Sequence, residues 1–299
     1  MPWSSLFQPI ERLTAEAGLE DWYARLLARL GGTPQPFELA LVGGLQAATP
    51  GLAFLAGYQA ALRVLWPAAP WTAGALCVTE NRSTRPADMS TRIDGLCISG
   101  RKDFVTAAEC AECADWLLVA AREEGAGQAP RLALGVVCQG APGVRIEPLP
   151  ALPLMPDIGH ARLHLDQAQG ERLAGDGWDD YVKPFRTLED VHVLTAVTAW
   201  LFGVGRECDW PESLLLRLQG LLAGCAEVTR QTPNAPTTHL LLAGLFAQQQ
   251  TLADELDTAF AAGPVHWAAL WQRDKGLLRI AEAARSKRLE KARQIVAGC

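Results

Sequence analysis

Two short segments hold the residue types from which chemistry could be built. The first is GRKDFVTAA, residues 100–108. A basic pair, an acid, an aromatic and a threonine crowd the lip of a β-type run in a chain otherwise rich in alanine and leucine. Taken alone, Phe104-Val105-Thr106 reads as a strand, since aromatic and β-branched residues suit a pleated, half-buried surface. The second is Cys110-Ala-Glu-Cys113, a spacing that could hold a metal or a dithiol. No second such pair and no histidine pair follows at zinc-finger spacing, so these read as ordinary thiols and no metal site is expected. The start, MPWSSLFQPIERL, has neither the basic nor the long apolar region of a signal peptide. Reduced thiols and a cytoplasmic location are the expectation.

The elements that must position these residues fall in three zones, expected as domains over residues 1–72, 73–178 and 179–299. From 1 to 72 the apolar spacing is helical, with a Gly pair closing the first segment and Thr49-Pro50 opening a later one. From 73 to 178 the texture changes to short runs (ALCVTE, GLCISG, DWLLVAAR, RLALGVVC, GVRIEPL, ARLHLD) between Gly, Pro and Asp turn signals. That texture predicts an antiparallel β-barrel or sandwich. No helical stretch interrupts it, which argues against a βαβ nucleotide fold. From 179 the pattern is helical again and predicts a four-helix bundle, with helices over 184–206, 211–230, 236–262 and 264–297. The fold class is thus α+β and multidomain.

The totals exclude some partners. The chain has 299 residues, 49% hydrophobic, with a net charge of −6. No basic face suited to nucleic acid shows in the sequence. The apolar stretch 37–71 is cut by Pro50, Pro67 and Pro70 and by Gln46, Gln59 and Arg63, so no membrane span of ~20 residues is expected.

Over residues 75–122, ALCVTENRSTRPADMSTRIDGLCISGRKDFVTAAECAECADWLLVAAR resembles the middle β domain of acyl-CoA dehydrogenases. In that family a strand ends in Thr-Glu, and a later strand reads Gly-x-Lys, an aromatic, Ile or Val, and Thr. The segments 143–166, 196–205 and 269–298 resemble later parts of the same family. The chain looks like a short, divergent member with truncated N- and C-terminal helical domains. The resemblance implies FAD, with Phe104 packing on the flavin ring, Thr106 at its N5 edge and Thr79 at its pyrimidine end. Cys77, Val78, Glu80 and Val105 complete the cofactor-binding set, and Arg101-Lys102 would sit on the turn outside. It also implies α,β-dehydrogenation of an acyl thioester, with homo- or hetero-oligomers formed through the C-terminal helices.

The departures matter as much. The family's glycine-rich loop after Thr-Glu is here Asn81-Arg82-Ser83-Thr84-Arg85-Pro86-Ala87-Asp88. Either Arg82 and Arg85 hold phosphates directly, or the site no longer takes FAD in the usual way. The family's Glu-Arg-Lys-x-Phe-Gly segment has no counterpart between Arg206 and His239. The usual catalytic glutamate is not found. Some members place the base on the first bundle helix, about ten residues before its Gly, which here is Val193. Glu189, one turn further, is the candidate shifted base; His192 is the weaker one. The alternative is a degenerate, non-catalytic homologue that serves as a structural partner of a complete dehydrogenase.

Overall fold

Leu13 decides where the first helix begins. Its N–H bonds the Gln46 carbonyl at 2.7 Å, and its own carbonyl accepts from Ala48 N–H at 3.1 Å. Residues 10–17 therefore run extended or turned rather than helical, and Gly18, at φ 101°, makes the turn into α1 (Leu19–Arg29). The helical spacing over 10–32 is realised only in its second half. The helices α2 (Pro36–Gln46) and α3 (Pro50–Leu65) follow, each with proline in the first turn, where a missing N–H costs nothing. Thr49 caps α3 by accepting from Leu52 N–H at 3.1 Å. The computed structural model describes residues 2–108, 115–123 and 131–298, so the Cys110–Cys113 pair lies outside the described residues.

The middle zone is one curled sheet of eight strands. They are β1 (Gly74–Cys77), β2 (Arg92–Asp94), β3 (Cys97–Thr106), β4 (Trp116–Glu123), β5 (Arg131–Cys138), β6 (Val144–Pro148), β7 (His160–Gln169) and β8 (Glu171–Arg172). The order is β6-β7-β3-β2-β4-β5-β8, with β1 laid on β4. Each of the six apolar runs in the sequence lies on one of the strands. The two strands the sequence does not signal, β2 and β8, are three and two residues long. The sheet is mixed rather than purely antiparallel: β1 and β2 both run parallel to β4.

A π-helical turn, Gly177–Val182, leads into α4 (Lys183–Glu207). Then come α5 (Glu212–Val228), α6 (Pro236–Thr251), α7 (Ala253–Ala262), α8 (Val265–Asp274) and α9 (Glu282–Ala297). The expected third and fourth helices are each broken in two. The second break has a visible cause. Leu277 and Leu278 are adjacent, yet both are buried. A 3-10 turn, Leu277–Arg279, follows Gly276 and brings them in together. Asp274 fixes the break by accepting from Met155 N–H at 2.9 Å.

The first and last zones share one apolar core. Leu26, Leu39 and Leu55 pack in the same cluster as Leu194, Trp200 and Phe260. Their approach depends on glycine. A Cβ on Gly44 would lie 2.1 Å from the Ala196 carbonyl oxygen, and one on Gly57 would lie 2.7 Å from the Val193 Cα. Both obstacles are backbone atoms of α4, so neither can be moved by a change of rotamer. Gly57→Ala is therefore expected to destabilise the fold by about 1–3 kcal/mol, the usual range for overpacking. Chemical denaturation against wild type measures it. Gly244→Ala, where a Cβ meets open space, serves as the control and should not destabilise.

Candidate active site

Strict alternation along β3 would put Lys102, Phe104 and Thr106 on one face. The register shows otherwise. Lys102 pairs with Leu163 and Val105 with Ala161, so Asp103 and Phe104 together stand opposite the single residue Arg162. This is a β-bulge, the device that re-aims side chains beside functional sites. It leaves Lys102 and Val105 fully buried and turns Phe104, 38% exposed, and Thr106 the other way. Asp103 N–H donates to the Thr79 carbonyl at 2.9 Å, which ties the bulge to the end of β1.

Lys102 lies inside the sheet, not on an outer turn. Its Nζ meets Glu80 Oε1 at 2.6 Å, and the two side chains are essentially without solvent contact. Glu80 Oε2 also accepts from Ser90 N–H at 2.6 Å and Ser90 Oγ at 2.7 Å, and Thr91 N–H donates to both oxygens. Burial alone would raise the Glu80 carboxyl. The Lys102 charge and these hydrogen bonds outweigh it and hold the group down at about 2. Glu80 is thus a staple within the β module, and its carboxylate has no capacity left for a cofactor.

Three side chains predicted from the sequence meet Glu189 at one cavity of about 400 Å³. Thr79 comes from the end of β1, Phe104 and Thr106 from β3, and Glu189 from α4; Leu277 and Arg285 help to close the far side. A smaller recess beside it shares Thr79, Phe104, Thr106 and Glu189 and adds Val78, Tyr58 and Arg186. The other predicted residues stand elsewhere. The Cys77 and Val105 side chains are fully buried in the sheet's own core, so only their backbone could face a ligand. Burial pushes the Cys77 thiol up to about 12. Arg85 is exposed, its N–H donates to Ser83 Oγ at 3.1 Å and its carbonyl accepts from Asp88 N–H at 3.0 Å; it lines neither of these cavities. His192 is buried in α4 with Nδ1 on the Leu188 carbonyl at 2.7 Å, away from the cavity.

Glu189 is half-buried among charges. Desolvation, and then the neighbouring Asp190, push its carboxyl up to about 8; Arg288 and Arg186 pull in the opposite direction. Asp190 is itself fully engaged. Arg285 Nη1 reaches Asp190 Oδ1 at 2.9 Å and Arg288 Nη2 reaches Oδ2, which ties α4 to α9. The guanidinium of Arg285 also lies 3.9 Å from the Phe246 ring centroid.

Sequence reasoning missed Tyr58 and His160. The Tyr58 hydroxyl accepts from Leu76 N–H at 2.9 Å and is hydrogen-bonded to Thr106. This contact sets the position of the Thr106 hydroxyl, which lines the cavity. His160 stacks on Phe104 with ring centroids 4.3 Å apart and planes at 31°. Burial lowers its pKa to about 4, so the ring is neutral. Only pairing tells of this contact: His160 stands opposite Thr106 across β3 and β7, from 54 residues further along.

Among the described residues no cluster could hold a metal, and no helix is long and apolar enough to cross a membrane. No family model matches the sequence, and no curated protein does. Solved structures do match. One is FkbI, for biosynthesis of the methoxymalonyl extender unit of the Fk520 polyketide, at 20% identity and TM-score 0.66, over 92% of this chain and 93% of that one. Butyryl-CoA dehydrogenase from Megasphaera elsdenii matches at 11% identity and TM-score 0.64, over 91% and 89%. PigA matches in its apo form at 15% identity and TM-score 0.63, over 99% and 95%, and also in its FAD complex at TM-score 0.53. The chain has the acyl-CoA dehydrogenase fold: helices, a curled mixed sheet, and helices again.

The residues at the cavity fit a flavin ring. Phe104 offers an exposed aromatic plate, Thr106 a hydroxyl, and Val78 and Leu76 an apolar wall beside them. The staple beneath them can be tested alone. Lys102→Met leaves a buried carboxylate without its cation and is expected to cost about 3–5 kcal/mol. Lys102→Met with Glu80→Leu removes both charges and should recover much of that loss, as read from denaturation curves. Because the Glu80 carboxyl is depressed in the fold, its contribution is present above the unfolded value near ~4.5 and should fade as pH falls toward 2.

Proposed function

We propose that this chain is an FAD-dependent oxidoreductase that dehydrogenates an acyl thioester between its α and β carbons, with Glu189 as the base. The observation that carries the reading is the meeting of Glu189 with Phe104, Thr106 and Thr79 at one cavity. A bound flavin supplies the acceptor for the β-hydrogen and its electron pair. This chain's own residues do the rest. Glu189, as a carboxylate, takes the α-proton and holds it on its carboxyl. Phe104 backs the ring, held in place by His160. Thr106 donates to the ring edge, where a hydrogen bond stabilises arriving charge. Asp190, locked by Arg285 and Arg288, fixes the turn of α4 that carries Glu189.

A carboxyl with a pKa of about 8 is well matched to proton transfer near neutral pH. The sign follows directly. The base works only when ionised, so turnover should climb as pH rises, with its midpoint near 8. An ordinary exposed carboxylate would give a flat profile above ~5. Glu189→Gln should lower turnover at least ~100-fold while leaving flavin absorption intact. An unchanged rate would remove Glu189 from the mechanism.

A second reading is supported by the loop after Glu80, which has no glycine and places Asn81 and Arg82 at φ 48° and 60°. A chain so altered could be a non-catalytic homologue that partners a complete dehydrogenase. The visible spectrum separates the two. Purified protein incubated with FAD and desalted should keep the two bands of bound oxidised flavin. A colourless protein would favour the partner role.

A further inference from the structure

Beside Thr79 and Phe104, on the side away from Glu189, the sheet opens into a groove of about 700 Å³ lined by Asn81, Arg82, Arg101, Asp103 and Arg162. Three guanidiniums at one groove are unexpected on a chain of net charge −6. Asp103 is the single carboxylate lining the groove. It accepts from Asn81 N–H, meets Arg101 Nε at 3.0 Å and lies 4.0 Å from Arg162 Nε. Glu147, further out, takes Arg162 Nη1 at 2.6 Å and lies 3.8 Å from Arg145. Arg162 Nε is buried and makes no hydrogen bond. Among the described residues Arg82 forms no ion pair, and the Arg101 guanidinium pairs through its Nε alone. The groove therefore holds more donors than acceptors.

The backbone of Arg82 points the same way. Glu80 and Ser83 exchange both N–H···O bonds, at 2.9 and 2.7 Å, across Asn81 and Arg82. Both central residues have positive φ, which makes this a type I′ turn, where Asn or Asp followed by Gly is the usual pair. Arginine at the second position costs about 1–2 kcal/mol of left-handed strain. Strain of this kind persists where the side chain has a use.

We propose that Arg82, Arg101 and Arg162 form a binding site for a phosphate or diphosphate group, whose carrier reaches past Phe104 and Thr79 into the cavity. Guanidinium forks match phosphate oxygens in pairs, and Asp103 fixes the spread of two of the three. The carrier is either the diphosphate of the flavin dinucleotide or the phosphate end of a pantetheine-based thioester. The site stands whether or not the flavin reading holds, because neither its donors nor its charge depend on the cavity.

Titration with inorganic pyrophosphate, followed by calorimetry on the full chain, tests it. Wild type should bind, with affinity falling steeply as salt rises. Arg82→Gly, which relieves the backbone, should weaken binding at least tenfold while leaving thermal stability equal or higher. Arg101→Gln should weaken binding too, without touching the core. Pyrophosphate that fails to bind wild type, or binds both variants as well as wild type, overturns the proposal. The source is read from paired ligands. If the variants lose affinity for FAD but not riboflavin, the diphosphate is the flavin's. If they lose affinity for coenzyme A but not pantetheine, it is the thioester's. Riboflavin that binds no form of the protein removes the flavin reading but leaves the pyrophosphate result standing.

Discussion

The buried pair of Glu80 and Lys102 is the constraint on which the site's geometry rests. It joins the segment leaving β1 to the middle of β3 at 2.6 Å, in a place where neither charge can turn to water. A buried ion pair adds little net stability compared with well-packed apolar groups, but it is selective. Here the selection is of register. With Lys102 committed inward and Val105 inward three positions later, one residue too many lies between them. The chain resolves the excess as the bulge at Asp103 and Phe104. The same carboxylate gathers Ser90 and Thr91, so both ends of the loop over residues 81–89 are anchored to the one ion pair.

Above that anchor the site is a junction of three structural layers. The sheet supplies a rigid wall, α4 supplies the titratable group, and the broken segment between α8 and α9 supplies the lid of Leu277 and Leu278. Each layer is fixed by its own polar contact. The wall is set by the ion pair, the α4 turn by two arginines of α9 on Asp190, and the lid by Asp274 on the Met155 backbone. The side chains of Thr79, Phe104, Thr106 and Glu189 take no part in these contacts, so their chemistry can be altered with modest effect on the fold.

Much of this was legible in the sequence. Thr49 and Pro50 marked the start of α3, and β-rich runs marked six strands, because those signals are local. Phe104, Thr106 and Thr79 were also picked out through the family pattern they carry, and Glu189 as a carboxylate one turn from the position that pattern expects. What stayed hidden depends on pairing. The burial of Lys102 needed the bulge, and the bulge needs the partner strand. Val105 turns inward through the same bulge; Cys77 is buried in the sheet core and Glu80 against Lys102, on another segment. His160 and Tyr58 lie on other elements, and no spacing along the chain announces them. The break within the last expected helix follows from what Leu277 and Leu278 must cover, a tertiary demand that helical periodicity does not record.

The shared core of the first and last zones has a consequence for how the chain comes to be folded. Gly44 and Gly57 are shaped to receive α4, yet the whole β sheet is made between them and it. During synthesis the first helices emerge with their apolar sides bare, and they stay so until Val193 and Ala196 leave the ribosome. Contacts of such long sequence separation are slow to form. The sheet also needs distant partners, since four of its seven strand pairings join strands that are not consecutive. The exposed early helices are therefore where a chaperone would be needed most.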